Sequence, residues 1–182
     1  MIYMFLATGF EEIEALCPLD IMRRAGLDVK TVGVGGNEIL GAHGICVKAD
    51  ITDEEFDAIK EKNIDMVFLP GGMPGTLNLA ASKTVTEAIN DAFKSQSYIA
   101  AICAAPSILG DMGLLIGKEA ICYPGFESRL RGALISEQRV VTDDRIITAA
   151  GMGAALDMGI KIVEIFCDKE KAADLRRAII AD

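Results

Sequence analysis

Apolar residues in this chain come in short unbroken runs separated by segments of helical period, the pattern of strands covered on both faces of a parallel sheet. Ile2 to Ala7 is the first such run. A helix is expected after it, with Thr8 and Glu11 spaced like a capping box and Gly26 as a stop after Arg23-Arg24-Ala25. Pro18 is expected to kink or restart that helix. Val29 to Val34 reads as a second strand, and the segments around Ile39 and Ile45 to Val47 as a side hairpin.

Asp53 to Lys62 reads as a short helix, and Met66-Val67-Phe68-Leu69 as a core strand ending in Pro70-Gly71-Gly72. Val85, Ala88, Ile89 and Ala92 form one stripe, so Val85 to Phe93 is expected to pack on the sheet before the strand Tyr98 to Ile102. The helix after Cys103 carries Ile108, Leu109 and Met112 and stops at Gly113. Val140 to Thr142 and Arg145 to Ala149 read as a paired strand and return across Asp143-Asp144. A helix through Phe166 and a terminal one from Asp168 to Ile180 complete the chain. Strands alternating with helices predict one α/β domain over residues 1–182, a mostly parallel sheet between helix layers.

Composition narrows the function classes. A chain of 182 residues can bury about two thirds of the surface it exposes when unfolded, without disulfides. A net charge of −9, from 27 acidic and 18 basic residues, argues against a nucleic-acid or anionic-membrane surface. No apolar run approaches a membrane span, and Met1 to Phe10 lacks the basic start of a signal peptide, so a cytoplasmic location is expected. Five cysteines without Cys-x-x-Cys spacing and a single histidine, His43, fit neither zinc nor a disulfide framework. Cys17, Cys46, Cys122 and Cys167 are expected to be small buried hydrophobes.

The remaining cysteine is different. Cys103 ends a buried strand where a helix follows, and the unpaired amides of a helix start favour a thiolate below the roughly 8.5 of a free thiol. An inert buried cysteine is the competing reading. On α-helical spacing Glu14 shares a stripe with Cys17, Pro18, Ile21 and Ala25, so its carboxyl faces the core, is desolvated, and can stay protonated near neutral pH. Glu11 and Glu12 read as more exposed, and all three could simply complement the helix dipole. Gly71 and Gly72 free a backbone amide to face the crevice, which with Ala104 would make an oxyanion hole; a plain turn is the alternative. No Gly-Lys-Ser/Thr follows, which rules out a phosphate-binding P-loop, and Leu156 breaks the glycine fingerprint begun at Gly151. His43 lies far in sequence from these segments, yet any Cys-His arrangement would have to use it.

Several stretches together resemble the ThiJ/PfpI superfamily in its DJ-one-like branch. They are Gly-Phe-Glu-Glu-Ile-Glu-Ala from Gly9, Met-Arg-Arg-Ala-Gly from Met22, Leu-Pro-Gly-Gly from Leu69, Ala-Ile-Cys-Ala-Ala-Pro from Ala101, and the closing Gly-Met-Gly with Ile-Val-Glu. The resemblance implies a flavodoxin-like three-layer sandwich forming a homodimer and using no cofactor or metal. It implies Cys103 as nucleophilic and oxidation-sensitive cysteine, Glu14 as its protonated partner, and Gly72 and Ala104 as the amides of an anion pocket. Arg24 falls on an arginine that approaches the partner subunit's site. The implied activity is conversion of small dicarbonyls such as methylglyoxal to hydroxy acids, or deglycation of glycated protein, with redox sensing or chaperone action through oxidation of Cys103 as the alternative. Three positions depart from the family pattern. Ala104 stands where the protease branch has histidine, Tyr123 where many members have a pocket histidine, and His43 where many have arginine. Tyrosine donates a hydrogen bond but is a poor base at pH 7.

Overall fold

Hydrogen bonding joins the expected core strands into one seven-stranded sheet in this computed structural model, which describes residues 1–59 and 62–181. In chain order the elements are β1 (Ile2–Leu6), α1 (Glu12–Arg24), β2 (Val29–Gly33), β3 (Glu38–Leu40), β4 (Cys46–Lys48), β5 (Ile51–Thr52), α2 (Asp53–Asp57) and β6 (Met66–Leu69). There follow α3 (Gly75–Ala81), α4 (Lys83–Lys94), β7 (Tyr98–Ile102), α5 (Pro106–Asp111), β8 (Glu119–Ala120) and β9 (Leu134–Ile135). β10 (Val140–Asp143), β11 (Ile146–Ala149), α6 (Ala155–Phe166) and α7 (Lys169–Ala178) close the chain. The sheet runs β10-β11-β7-β6-β1-β2-β5, and only the β10–β11 pair is antiparallel. This is the mostly parallel α/β sheet that the strand–helix alternation predicts, in the flavodoxin-like arrangement that the family resemblance implies.

The alternation of side chains along each strand divides the interior into two layers. Tyr3, Phe5, Val67, Leu69, Ile99 and Ala101 join the cluster that holds α4 through Val85, Ala88, Ile89 and Ala92. Met4, Leu6, Phe68, Ala100 and Ile102 instead join the cluster of α1 and α6, through Ala15, Leu19, Met22, Met158 and Ile162. The α1–α6 crossing is close because Gly159 has no side chain; a Cβ there would lie 3.1 Å from Pro18 and Ile21.

Local differences from the sequence reading have identifiable causes. α1 begins at Glu12, with Glu11 as its cap and the Glu14 N–H donating to Glu11, so the Thr8–Glu11 capping box does not form. It also runs through Pro18 unbroken, since burial of that face against α6 outweighs the one backbone bond proline removes. The helix from Asp53 stops at Asp57; Lys60 and Glu61, also within that expectation, lie outside the described residues. Short α2 is held by a Thr52–Glu55 capping box and by Phe56, whose ring packs edge-on against Tyr3 and Phe5 at 4.9 and 5.2 Å. Helix α3 and strands β5, β8 and β9 are additions to the expected elements; none of the three strands exceeds two residues, too few to show a period. Cys122 is buried as expected, but Cys17 is only half-buried and Cys46 and Cys167 are exposed. Among the described residues no helix is long and apolar enough to cross a membrane.

Candidate active site

The strand order reverses between β1 and its two neighbours β2 and β6, and loops leaving the carboxyl ends of β1, β6 and β7 meet beside that point. β7 hands over to Cys103, whose φ of +64 places it in the left-handed region that costs a non-glycine residue about 1 kcal/mol or more. Its backbone is pinned on both sides: the Cys103 N–H donates to Ala149 O (2.9 Å), and Tyr123 N–H donates to Cys103 O (2.8 Å). The strain turns the side chain out of the sheet into the crevice, the geometry of a nucleophile elbow.

From α1, Glu14 reaches the same point. Its residue is only 1% exposed, and Oε2 accepts from the Gly71 N–H at 3.0 Å. The Met152 amide and the Cys103 side chain also face this carboxyl and favour its charge. Gly71 is the wall between them: a Cβ there would lie 2.5 Å from Glu14 Oε2 and 2.7 Å from Cys103 Cβ. Gly72, at φ +89, lies against the Glu11 backbone and turns its amide toward the sulfur, as does Ala104.

Burial pushes the Glu14 carboxyl up to about 7, against the Cys103 side chain and the Gly71 and Met152 amides that favour its charge. Burial likewise pushes the Cys103 thiol up, and the charge of ionised Glu14 takes it to about 12, while the Ala104 and Gly72 amides pull the other way. The expectation that position alone lowers the thiol is therefore corrected. Helix α5 begins only at Pro106, so what favours a thiolate is two nearby amides and, when Glu14 is protonated, a carboxyl O–H aimed at the sulfur. Titrating as a pair, the two give up one proton near neutrality and share the other, and removing that second proton against the charge already present is what takes the thiol to about 12.

The other candidates are placed as follows. Tyr123 is 51% exposed, its ring against Gly151 at the rim. Arg24 does not join Cys103 within the chain; its Nε donates to Asp20 at 2.6 Å, and it lines a groove with Cys17, Ile21, Leu156 and Ile180. Glu12, read as exposed, is 3% exposed, and its carboxylate receives bonds from the loop carrying His43. The signal that could have found it is a second stripe on α1, since Glu12, Ala15, Leu19 and Met22 recur at helical spacing and are all buried.

A family model described as the DJ-1/PfpI family matches residues 1–165. The chain is 35% identical over 179 residues to the Parkinson disease protein 7 homolog of Danio rerio, covering 96% of this chain and 94% of that one. It is 30% identical over 171 residues to the glutathione-independent glyoxalase DJR-1.2 of Caenorhabditis elegans, covering 93% and 89%. Among solved structures, oxidized Toxoplasma gondii DJ-1 superposes with a TM-score of 0.93 at 30% identity, covering 98% and 97% of the two chains. Drosophila melanogaster DJ-1beta gives 0.90 at 30%, covering 98% and 96%. A family model spanning nearly the whole chain, joined to this fold, makes the protein a member of the DJ-1/PfpI family.

Proposed function

We propose that the protein converts small reactive dicarbonyls, methylglyoxal above all, to hydroxy acids by covalent catalysis at Cys103, without cofactor or metal. The observation that carries the reading is the approach of buried Glu14 and Cys103 to one another across Gly71, with the Gly72 and Ala104 amides facing the sulfur. The glyoxalase activity in the name of the Caenorhabditis elegans relative supports the substrate class.

The Cys103 thiolate adds to the aldehyde carbon, and the carbonyl oxygen takes up the electron pair beside the two amides. Glu14 protonates that oxygen, giving a hemithioacetal. As a carboxylate it then removes the hydrogen on the same carbon and returns it to the neighbouring ketone carbon, while the hydroxyl proton passes from the first oxygen to the second. One carbon is oxidised and the next reduced, so no outside electron acceptor is needed. The product is an acyl thioester, which water cleaves to hydroxy acid and free thiol. The absence of a Cβ at Gly71 and the small side chain of Ala104 leave room for a small substrate. The reading includes a homodimer in which Arg24 approaches the partner's site, which the mass in solution checks. Lactate is expected from methylglyoxal in the presence of a chelator and with no added thiol; none would overturn the reading.

Oxidation of Cys103 to a sulfinate is a second reading, since the Gly72 and Ala104 amides and a protonated Glu14 are three donors suited to its oxygens. The oxidized Toxoplasma gondii relative supports it. Mild peroxide followed by mass spectrometry is expected to add two oxygens to Cys103 alone; oxygen spread over the methionines would count against it.

A further inference from the structure

The mechanism above assigns no base to one step, the attack of water on the thioester. Glu14 is a carboxylate again by then, but it lies on the side of the sulfur, against Gly71 and Cys103. A second constellation stands beside this site, joined to it through Glu11 and Met152. Glu12, in the first turn of α1, holds a buried carboxylate whose Oε1 accepts from the His43 N–H at 2.7 Å and from the Ile45 N–H at 3.4 Å. Its Oε2 lies 2.9 Å from His43 Nδ1. Gly41 lets the loop pass directly over this carboxylate; a Cβ there would lie 2.3 Å from Oε1.

An ionised carboxylate only accepts, so Nδ1 must carry the imidazole proton and Nε2 is left as an unprotonated acceptor. Burial pushes Glu12 up, but the bonds from the His43 ring and backbone and from Ile45 outweigh it and hold the carboxyl below its ordinary value. The same bond raises His43 above its ordinary value, strengthening it as a base. Ionisable groups facing the ring are Glu12 and Glu11, whose Oε1 is 3.9 Å from Nδ1; Ile13, Ile45 and Met152 present none. These residues line an open cavity of about 270 Å³. It adjoins the reacting pair through two residues: Met152, whose amide faces Glu14, and Glu11, whose N–H donates to Gly71 O at 3.0 Å and whose carboxylate caps the Glu14 amide.

We propose that the Glu12–His43 pair is the base that activates water, held in this cavity, for cleavage of the Cys103 thioester. Water oxygen bonds to the acyl carbon, the carbon–sulfur bond breaks with its electrons going to sulfur, and the water proton goes to His43 Nε2 and thence to solvent or the thiolate. The inference rests on the covalent route proposed above.

The test measures methylglyoxal turnover in the parent, His43→Gln and Glu12→Gln and, separately, loads each protein with methylglyoxal, removes the excess by gel filtration and only then adds hydroxylamine. Hydroxylamine attacks a thioester unaided and releases a hydroxamate. His43→Gln is expected to slow lactate formation about 100-fold. In Glu12→Gln the amide oxygen can still accept the two backbone bonds, but the NH2 faces Nδ1 and forces the proton onto Nε2, so a similar loss is expected. Hydroxylamine is expected to release hydroxamate from both loaded variants in an amount close to that of the protein, which it would not do for a purely structural defect. The acidic limb of the parent's thioester cleavage should disappear in His43→Gln. Parental rates in His43→Gln, or a slowed variant that releases no hydroxamate, would overturn the assignment and leave the covalent route standing. Lactate formed by Cys103→Ala at the parental rate overturns both.

Discussion

Cys103→Ala is expected to lower lactate formation from methylglyoxal by at least about 1,000-fold, the scale on which removal of an attacking nucleophile acts. Every bond change in the route is made on the carbon attached to its sulfur or on that carbon's neighbour. Amides and a carboxyl that remain can polarise an aldehyde but form no thioester. The fold should survive, because the backbone bonds that pin residue 103, to Ala149 and from Tyr123, do not involve the side chain. Stability within about 1 kcal/mol of the parent is expected, as is usual for a substitution that leaves neither a large cavity nor an orphaned charge. The loss of the thiol also removes a donor that favours the charged carboxyl, so Glu14 should titrate higher than in the parent. Lactate assay and thermal unfolding on the same preparation separate this outcome from misfolding.

Glu14→Gln should separate stability from activity in opposite directions. The amide that replaces the carboxyl can accept from Gly71 but cannot move a proton, so a loss of about 100- to 10,000-fold in kcat is expected. The fold, by contrast, bears a cost for the carboxyl. Glu14 titrates at about 7 in place of its ordinary 4.5, so the folded state holds a proton that the unfolded chain has already lost between those values. The associated stability is fully present below pH 4.5 and is lost as pH rises through 7, about 3 kcal/mol at 1.4 kcal/mol per pH unit. The Glu14→Gln protein carries no such dependence. The difference in unfolding free energy between variant and parent should therefore shift in favour of the variant by about 3 kcal/mol between pH 4 and pH 8. Denaturant titrations at the two pH values check it, since the other groups are common to both proteins. A difference that does not change with pH would mean that Glu14 is not held protonated by the fold.

Much of the architecture can be read from the chain because its strands are continuous apolar runs and α4 has a clean stripe. Four residues recurring at helical spacing over about two turns leave little room for another face to pack. What escapes is short: β5, β8 and β9 are two residues each, and α3 follows a turn whose glycines disguise its start. The Cys103–Glu14 meeting is legible because both sit where a strand end and a helix face must converge. Its electrostatics are only half legible. Burial of the carboxyl follows from one helical stripe, whereas the direction of the thiol depends on where α5 begins and on which partner holds the proton. The Glu12–His43 pair escapes for a different reason: the two are 31 residues apart and their contact depends on the path of the β3–β4 hairpin, which no local pattern encodes.

The central claim is that Cys103 works as a thiolate beside a protonated Glu14, the two sharing one proton near neutrality. The most direct test is the pH dependence of Cys103 alkylation, followed by mass at that residue in the parent and in Glu14→Gln. A midpoint near neutrality in the parent is predicted, below the roughly 8.5 of a free thiol, with Glu14→Gln shifted upward as burial goes unopposed by the carboxyl proton. A parent midpoint at or above that of a free thiol, or a Glu14→Gln midpoint lower than the parent's, would contradict it.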